Sequence, residues 1–220
     1  MANNEDYFDL TDAYSVETPE DNVDLYARWA DTYESGFVAD EGYVYHHGVA
    51  AVFLEHFIST SGPILDVGCG TGLVGEALYS NPSFNFRLEG LDISSEMLDH
   101  AKSKKLPSGQ PIYGDLYVGD LTAALDLPDN TYSGIISCGT FTHGHVGPEA
   151  LDELYRITKS NALFAIGINQ NHFSNQGFEA RFKDDIASGK ITEPIYRNVQ
   201  VYSTGSHAKD RFPVAIFHLK

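Results

Sequence analysis

Residues 64–72 read Ile64-Leu65-Asp66-Val67-Gly68-Cys69-Gly70-Thr71-Gly72. A short apolar segment predicts a strand, and three glycines in five residues predict a tight turn. Leu73, Val74, Ala77 and Leu78 then follow helical spacing. Glycine lets a backbone adopt positive φ and pass close to a ligand, and a helix start offers free N–H groups. The spacing is G-x-G-x-G. It lacks the last glycine of the G-x-G-x-x-G dinucleotide fingerprint, so dinucleotide binding fits less well. No Gly-Lys-Ser/Thr follows, so a nucleotide P-loop is excluded.

Outward from this turn, strands and helices alternate. Phe84 to Leu91 predicts a strand ending at Asp92, and Ser94 can cap a helix running to about Lys104. Leu116 to Val118 predicts a short strand ending at Gly119-Asp120. Tyr132 to Cys138 predicts a fourth strand, Pro148 opens a helix to about Lys159, and Leu163 to Ile168 predicts a fifth strand. Five strands separated by helices imply a parallel sheet covered on both faces. The tail differs: a helix over 174–188, then strands over 196–203 and 213–219, which close the sheet as an antiparallel hairpin. The expected class is therefore α/β, with a mostly parallel, doubly wound, seven-stranded sheet. Upstream, Leu25, Tyr26, Trp29 and Ala30 share a helical face, and a second helix runs from about Val49 to Ser59.

Composition narrows the function classes. The 220 residues are 42% hydrophobic and 20% charged, as in a folded protein. Thirty-one acidic residues oppose fourteen basic ones, a net charge of −17. Such a field repels nucleic acid and anionic membranes, and no basic run exceeds Lys102, Lys104 and Lys105. Residues 1–41 hold twelve acidic residues and one basic one, Arg28. Residues 1–22 are therefore expected to be an acidic, mobile arm. One domain is expected over 23–220: a helical cap at 23–60, a ligand-binding core at 61–169, and a helix plus hairpin at 170–220. Two cysteines, Cys69 and Cys138, cannot form a disulfide scaffold or a Cys-rich zinc site; both are read as packing residues. The N-terminus lacks the basic-then-apolar order of a signal peptide, and no apolar run is long enough to span a membrane. A cytoplasmic location is expected.

Asp92 lies twenty-two residues after Gly70, at the end of the second strand, where a carboxylate can accept from both hydroxyls of a ribose. Asp120, at the end of the third, can accept from the amine of an adenine. A strand-terminal Asp alone is more often a cap or turn residue; the ordered set is specific. Asp66 to Gly72, G-L-D-I-S-x-x-M-L at 90–98 and G-D-L at 119–121 resemble the class I S-adenosylmethionine-dependent methyltransferases. The resemblance covers about 23–220. Tyr26-x-x-Trp29-Ala30-x-x-Tyr33 and Gly139-Thr140-Phe141-Thr142-His143-Gly144-His145-Val146-Gly147 resemble most the small methyltransferase-like proteins of the Williams–Beuren-region type. The resemblance implies a Rossmann-like fold and S-adenosylmethionine as cofactor, with S-adenosylhomocysteine as product. It also implies a set of contacts. Asp66, Gly68, Cys69 and Gly70 would line the methionine end, and Asp92 would hold the ribose. Ile93 and Met97 would flank the adenine, with Asp120 on its amine and Leu121 beside it. Cys138 and Gly139 would face the transferring methyl, and Tyr26, Trp29 and Tyr33 would fold over the cofactor. The family often has Lys-Pro-Gly-Gly before strand five; this chain has Lys159-Ser160-Asn161-Ala162.

In-line methyl transfer needs chiefly orientation and desolvation, and a base helps when the acceptor is a hydroxyl, thiol or protonated amine. His143 is the candidate general base, with His145 second, since both follow strand four and histidine titrates near neutrality. Metal binding by this pair with His172 or Asp120 is a weaker reading, and no metal is expected. Tyr43, Tyr45, His46, Phe141, His145, Asn169 and His172 are expected to shape the acceptor pocket, which suits a small, partly apolar molecule. The expected activity is S-adenosylmethionine-dependent methylation of a small molecule, without nucleic-acid or membrane partners. No Asn-Pro-Pro-Tyr-like motif follows strand four, which agrees with that choice. The alternatives are a cofactor-binding regulatory subunit without turnover and a non-methylating enzyme on the same fold.

Overall fold

The computed structural model describes residues 18–58, 61–142 and 146–220. Residues 1–17 of the expected acidic arm, and both His143 and His145, lie outside the described residues. Helix α1 (Pro19–Trp29) begins four residues before the apolar pattern that starts at Val23. Its start is a capping box: Asp21 N–H donates to Thr18 Oγ1 at 3.1 Å, and Thr18 N–H donates to Asp21 Oδ2 at 3.0 Å. A π-type turn, Glu34–Val38, leads into α2 (Tyr45–His56).

Strand β1 (Ile64–Val67) pairs in parallel with β2 (Leu88–Asp92) and with β4 (Tyr132–Phe141). Strand β3 (Leu116–Val118) pairs outside β2, and β5 (Thr158–Ile168) lies beyond β4. The antiparallel hairpin β6 (Ile195–Gln200) and β7 (Arg211–His218) completes the order β3-β2-β1-β4-β5-β7-β6, as expected. Helices α3 (Leu73–Tyr79), α4 (Ser95–Ser103), α5 (Leu151–Ile157), α6 (Gln170–Asn175) and α7 (Phe178–Ala187), with a 3-10 turn (Pro148–Ala150) before α5, complete the described elements.

Two expectations are corrected. Strand β2 starts at Leu88 rather than Phe84, because β1 offers only four residues to pair. Phe84 packs instead on Tyr79 and Phe86 on Phe57, as aromatic edges. The helix expected over 174–188 is two helices, split by Gly177 at φ +84°.

Alternation along the strands feeds two cores. Ile64, Ile136 and Ala165 face α2, α3 and α4, while Leu65, Val67, Ile135, Phe164 and Ile166 face α5 and α7. With both faces covered, the carboxyl ends of the strands are left open, beneath the cap made by α1 and the π-type turn. The sheet order reverses between β1 and β4, which is where open α/β sheets bind ligands.

Candidate functional site

The glycine turn is held by β2. Gly68 N–H and Cys69 N–H both donate to Leu91 O, at 2.7 and 3.0 Å. Gly70 N–H donates to Asp92 Oδ2 at 2.7 Å, and Ser94 N–H donates to Asp92 Oδ1 at 2.9 Å. Asp92 thereby joins the two loops that follow β1 and β2. Burial raises its carboxyl above the ordinary range, and the N–H donors of Ser94, Gly70 and Ile93 oppose that shift.

A cleft of about 820 Å³ opens over these loops. Gly68, Gly70 and Asp92 line one side, with Ile93 and Met97. Asp120 and Leu121 line the next strand end, and Cys138 and Gly139 the end of β4. Tyr26 and Tyr33 come down from the cap. Eleven of the fourteen residues expected at the cofactor, together with Gly119, Thr122, Thr140, Thr142 and Val146, which were not singled out, thus meet in one place. Thr140, Thr142 and Val146 belong to the 139–147 stretch, so a signal for them existed; for Gly119 it was the G-D-L motif itself.

Three expected residues lie elsewhere. Asp66 is fully buried beneath the turn, because strand alternation puts it on the face of Ile64. There Tyr113 Oη donates to its Oδ2 at 2.7 Å, and its Oδ1 has no partner. Burial pushes this carboxyl up to about 7; the Tyr113 bond lowers it and Asp92 raises it. Cys69 is buried against β2, where its Sγ occupies the space beside Gly90. Trp29 lines a second cleft rather than the first, wedged between Tyr33 and Phe37 with ring centroids at 5.2 and 4.9 Å.

The second cleft, about 590 Å³, shares Tyr26, Gly139 and Thr142 with the first. Tyr43, Tyr45, Phe141 and Asn169, four of the residues assigned to the acceptor pocket from the sequence, line it. Phe37, Gly167, Val201, Tyr202 and Phe212 also line it and were missed. Phe37 follows Tyr33 at helical spacing; the hairpin residues carry no sequence signal. His46 and His172 do not line it. His46 stacks behind Tyr43 at 5.7 Å, 6% exposed, and its Nδ1 has no hydrogen-bond partner. Burial, then His47 and Lys104, push it down to about 4, with Glu34 opposing. His172 is an anchor: its Nε2 lies 2.8 Å from Val146 O.

Tyr43 Oη and Cys138 Sγ, 3.4 Å apart, connect the two clefts. Burial pushes the Cys138 thiol up to about 12, against the Tyr43 hydrogen bond, so it is neither nucleophile nor base near neutrality. Cys69 is likewise raised by burial, then by Asp66 and Asp92. Both cysteines are free thiols. Among the described residues, no group of three or more His, Cys, Asp and Glu could hold a metal ion, and no helix is long and apolar enough to cross a membrane.

The first cleft fits an adenosyl sulfonium by its own chemistry. A Cβ built on Gly70 meets nothing within 4 Å, so the turn forms an open cradle. Two carboxylates stand at adjacent strand ends as hydrogen-bond acceptors, with the apolar Ile93, Met97 and Leu121 between them for a flat ring. Among the described residues no Lys or Arg lines the cleft, so a pyrophosphate meets no cationic partner among them, whereas a cationic ligand meets two carboxylates.

Residues 64–161 match the family model described as a methyltransferase domain. The chain is 33% identical over 126 residues to a probable methyltransferase of Aspergillus luteorubrus, covering 52% of this chain and 42% of that protein. It is 33% identical over 103 residues to the demethylmenaquinone methyltransferase of Symbiobacterium thermophilum, covering 46% and 40%. It is 34% identical over 118 residues to human methyltransferase-like protein 27, covering 53% and 44%. The matches thus span less than half the length of these curated relatives. An 18S rRNA (guanine-N(7))-methyltransferase of Arabidopsis thaliana also matches, 38% identical over 74 residues, covering 34% of this chain and 22% of that protein. Among solved structures, an S-adenosylmethionine-dependent methyltransferase of Methanococcus maripaludis superposes with a TM-score of 0.59 at 19% identity, covering 88% of this chain and 93% of that one. The [4+2]-cyclase SpnF superposes with a TM-score of 0.66 at 14% identity, covering 93% and 97%. The chain thus matches a methyltransferase domain over residues 64–161 and shares the fold of solved S-adenosylmethionine-dependent methyltransferases.

Proposed function

We propose that this chain transfers a methyl group from S-adenosylmethionine to a small-molecule acceptor. One observation carries this: a cleft lined by two strand-end carboxylates and an open glycine turn, with no cationic side chain among its described lining residues, joined to a second cleft through shared walls. In the proposed complex Asp92 accepts from the ribose hydroxyls, and Asp120 accepts from the adenine amine. Ile93, Met97 and Leu121 pack on the ring. Gly68 and Gly70 admit the methionine end, and Asp66 underlies that end from below. The bound sulfonium supplies an electrophilic methyl; the acceptor's lone pair forms the new bond as the S–C bond breaks, and the acceptor's proton leaves.

This chain's residues would orient the two molecules and exclude water. Tyr26 and Tyr33 cover the first cleft, and Gly139, without a side chain, leaves the passage between the clefts open. His143 is retained as the proposed base, with His145 second; its test is a pH–rate profile that loses a limb in His143→Ala. The Tyr26-to-Tyr33 and Gly139-to-Gly147 motifs support a place near the Williams–Beuren-region type. The net charge of −17 supports a small molecule over a nucleic acid, although some similar proteins are rRNA methyltransferases.

Calorimetric titration tests the cofactor. S-adenosylmethionine and S-adenosylhomocysteine should bind at micromolar concentrations, and NAD should give no heat. Absence of heat from both adenosyl ligands would overturn the proposal.

A further inference from the structure

We propose that the second cleft binds an uncharged, planar aromatic molecule, and that this molecule is the methyl acceptor. The inference rests on the methyl-transfer reading above and adds the chemical class of its substrate.

Eight of the thirteen residues lining this cleft are aromatic, and none carries a formal charge. They come from three parts of the chain: Trp29 and Phe37 from the cap, Phe141 from the end of β4, and Tyr202 and Phe212 from the hairpin. Rings from opposite sides favour a flat guest, because stacked and edge-on contacts both exploit the ring quadrupole. A charged guest would lose its hydration with no side chain of opposite charge among the described lining residues to pair it. A cation has only the ring faces to offset that loss, and an anion has not even those.

The wall also offers a polar handle. Asn169 Oδ1 is occupied in capping α6, accepting from Asn171 N–H at 2.9 Å and His172 N–H at 3.2 Å. Its amide nitrogen is the group left to donate, which suits an oxygen substituent on the guest. Tyr45 Oη already donates to Pro213 O at 3.3 Å, so this ring presents its face.

Trp29 is the only tryptophan in the chain, and it lines this cleft and not the first. Its emission therefore reports the second cleft, while calorimetry with S-adenosylhomocysteine reports the first. 2-Naphthol should quench Trp29 saturably. Naphthalene-2-sulfonate and (2-naphthylmethyl)trimethylammonium should bind at least tenfold more weakly. Phe212→Ala should weaken 2-naphthol at least tenfold and leave S-adenosylhomocysteine affinity within twofold. If S-adenosylhomocysteine binds but 2-naphthol does not quench, or either charged probe binds as tightly, the aromatic proposal falls and the methyl-transfer reading stands. If 2-naphthol binds but S-adenosylhomocysteine does not, the acceptor role falls with the methyl-transfer reading. The panel on the unmodified chain decides the matter even if Phe212→Ala does not fold.

Discussion

Gly68 and Gly70 both hold positive φ, +67° and +52°, yet a side chain at each would meet different surroundings. A Cβ at Gly68 would collide with Thr140, whose hydroxyl donates to Val67 O at 3.0 Å. A Cβ at Gly70 would enter the open cleft. Gly70→Ala is thus expected to cost only the left-handed backbone strain, about 1–2 kcal/mol. It should also weaken S-adenosylhomocysteine at least tenfold, because the methyl group fills the cradle. Gly68→Ala adds overpacking to the same strain and should cost about 3 kcal/mol. Urea unfolding and calorimetry on both variants separate these effects; wild-type affinity in Gly70→Ala would remove the turn from the binding site.

At the scale of elements, the cap is tied to the core by ion pairs. Lys104 Nζ, with a side chain 12% exposed, pairs with Glu34 of the π-type turn at 2.7 Å and also with Glu76 of α3. His100 of α4 lies 3.2 Å from Asp31. Lys104→Met keeps most of the stem and removes the charge. The expected loss is about 1 kcal/mol, since both carboxylates are partly solvated. Amide exchange should accelerate over residues 30–44 and stay unchanged in β1, β4 and β5. Uniform acceleration would mean that Lys104 supports the whole fold rather than the cap. The capping box at Thr18 and Asp21 makes a related point. Its Thr-Pro-Glu-Asp signature is present in the sequence, yet the apolar pattern alone starts the helix at Val23 and misses it.

Across the whole molecule, two buried groups give stability opposite pH slopes. Asp66 is raised from 3.8 to about 7, so the folded chain keeps a proton that the unfolded chain has lost. Its contribution therefore falls as pH rises from about 4 to 7, by up to about 1.4 kcal/mol per pH unit. His46 is lowered from 6.5 to about 4, so the unfolded chain takes a proton that the folded chain refuses. Its contribution falls as pH drops through the same window. The two slopes cancel between about pH 4 and 6.5. Relative to the unmodified, ligand-free chain, Asp66→Asn should lose stability as pH falls from 6.5 to 4, by up to about 3 kcal/mol. His46→Gln should lose it as pH rises from 4 to 7. Denaturant unfolding across this range checks both; a profile for Asp66→Asn parallel to the unmodified chain would show that Asp66 does not hold the proton.

The first cleft was legible because each of its walls is local. Asp66 to Gly72, Asp92 with Ile93, and Asp120 with Leu121 each follow one strand, and the alternation of elements brings those strand ends to one edge. The sheet class followed for the same reason: apolar period and turn residues act within a few residues of each other. Local pattern could not tell which way a strand-end side chain points. Asp66 sits under the turn because β1 is only four residues long and alternation places it on the face of Ile64. Nor could it assemble the second cleft, whose walls stand at Trp29, Phe37, Phe141, Tyr202 and Phe212. Of these, Phe37, Tyr202 and Phe212 carry no local signal that sets them apart from ordinary packing rings. Only the antiparallel return of β7 against β5, and the folding of the cap across it, bring them face to face. Local residue order was enough to read the sheet and the carboxylate-lined strand ends; the aromatic cleft came only with the packing of distant segments, because a cavity belongs to the surfaces that enclose it and not to any one stretch of chain.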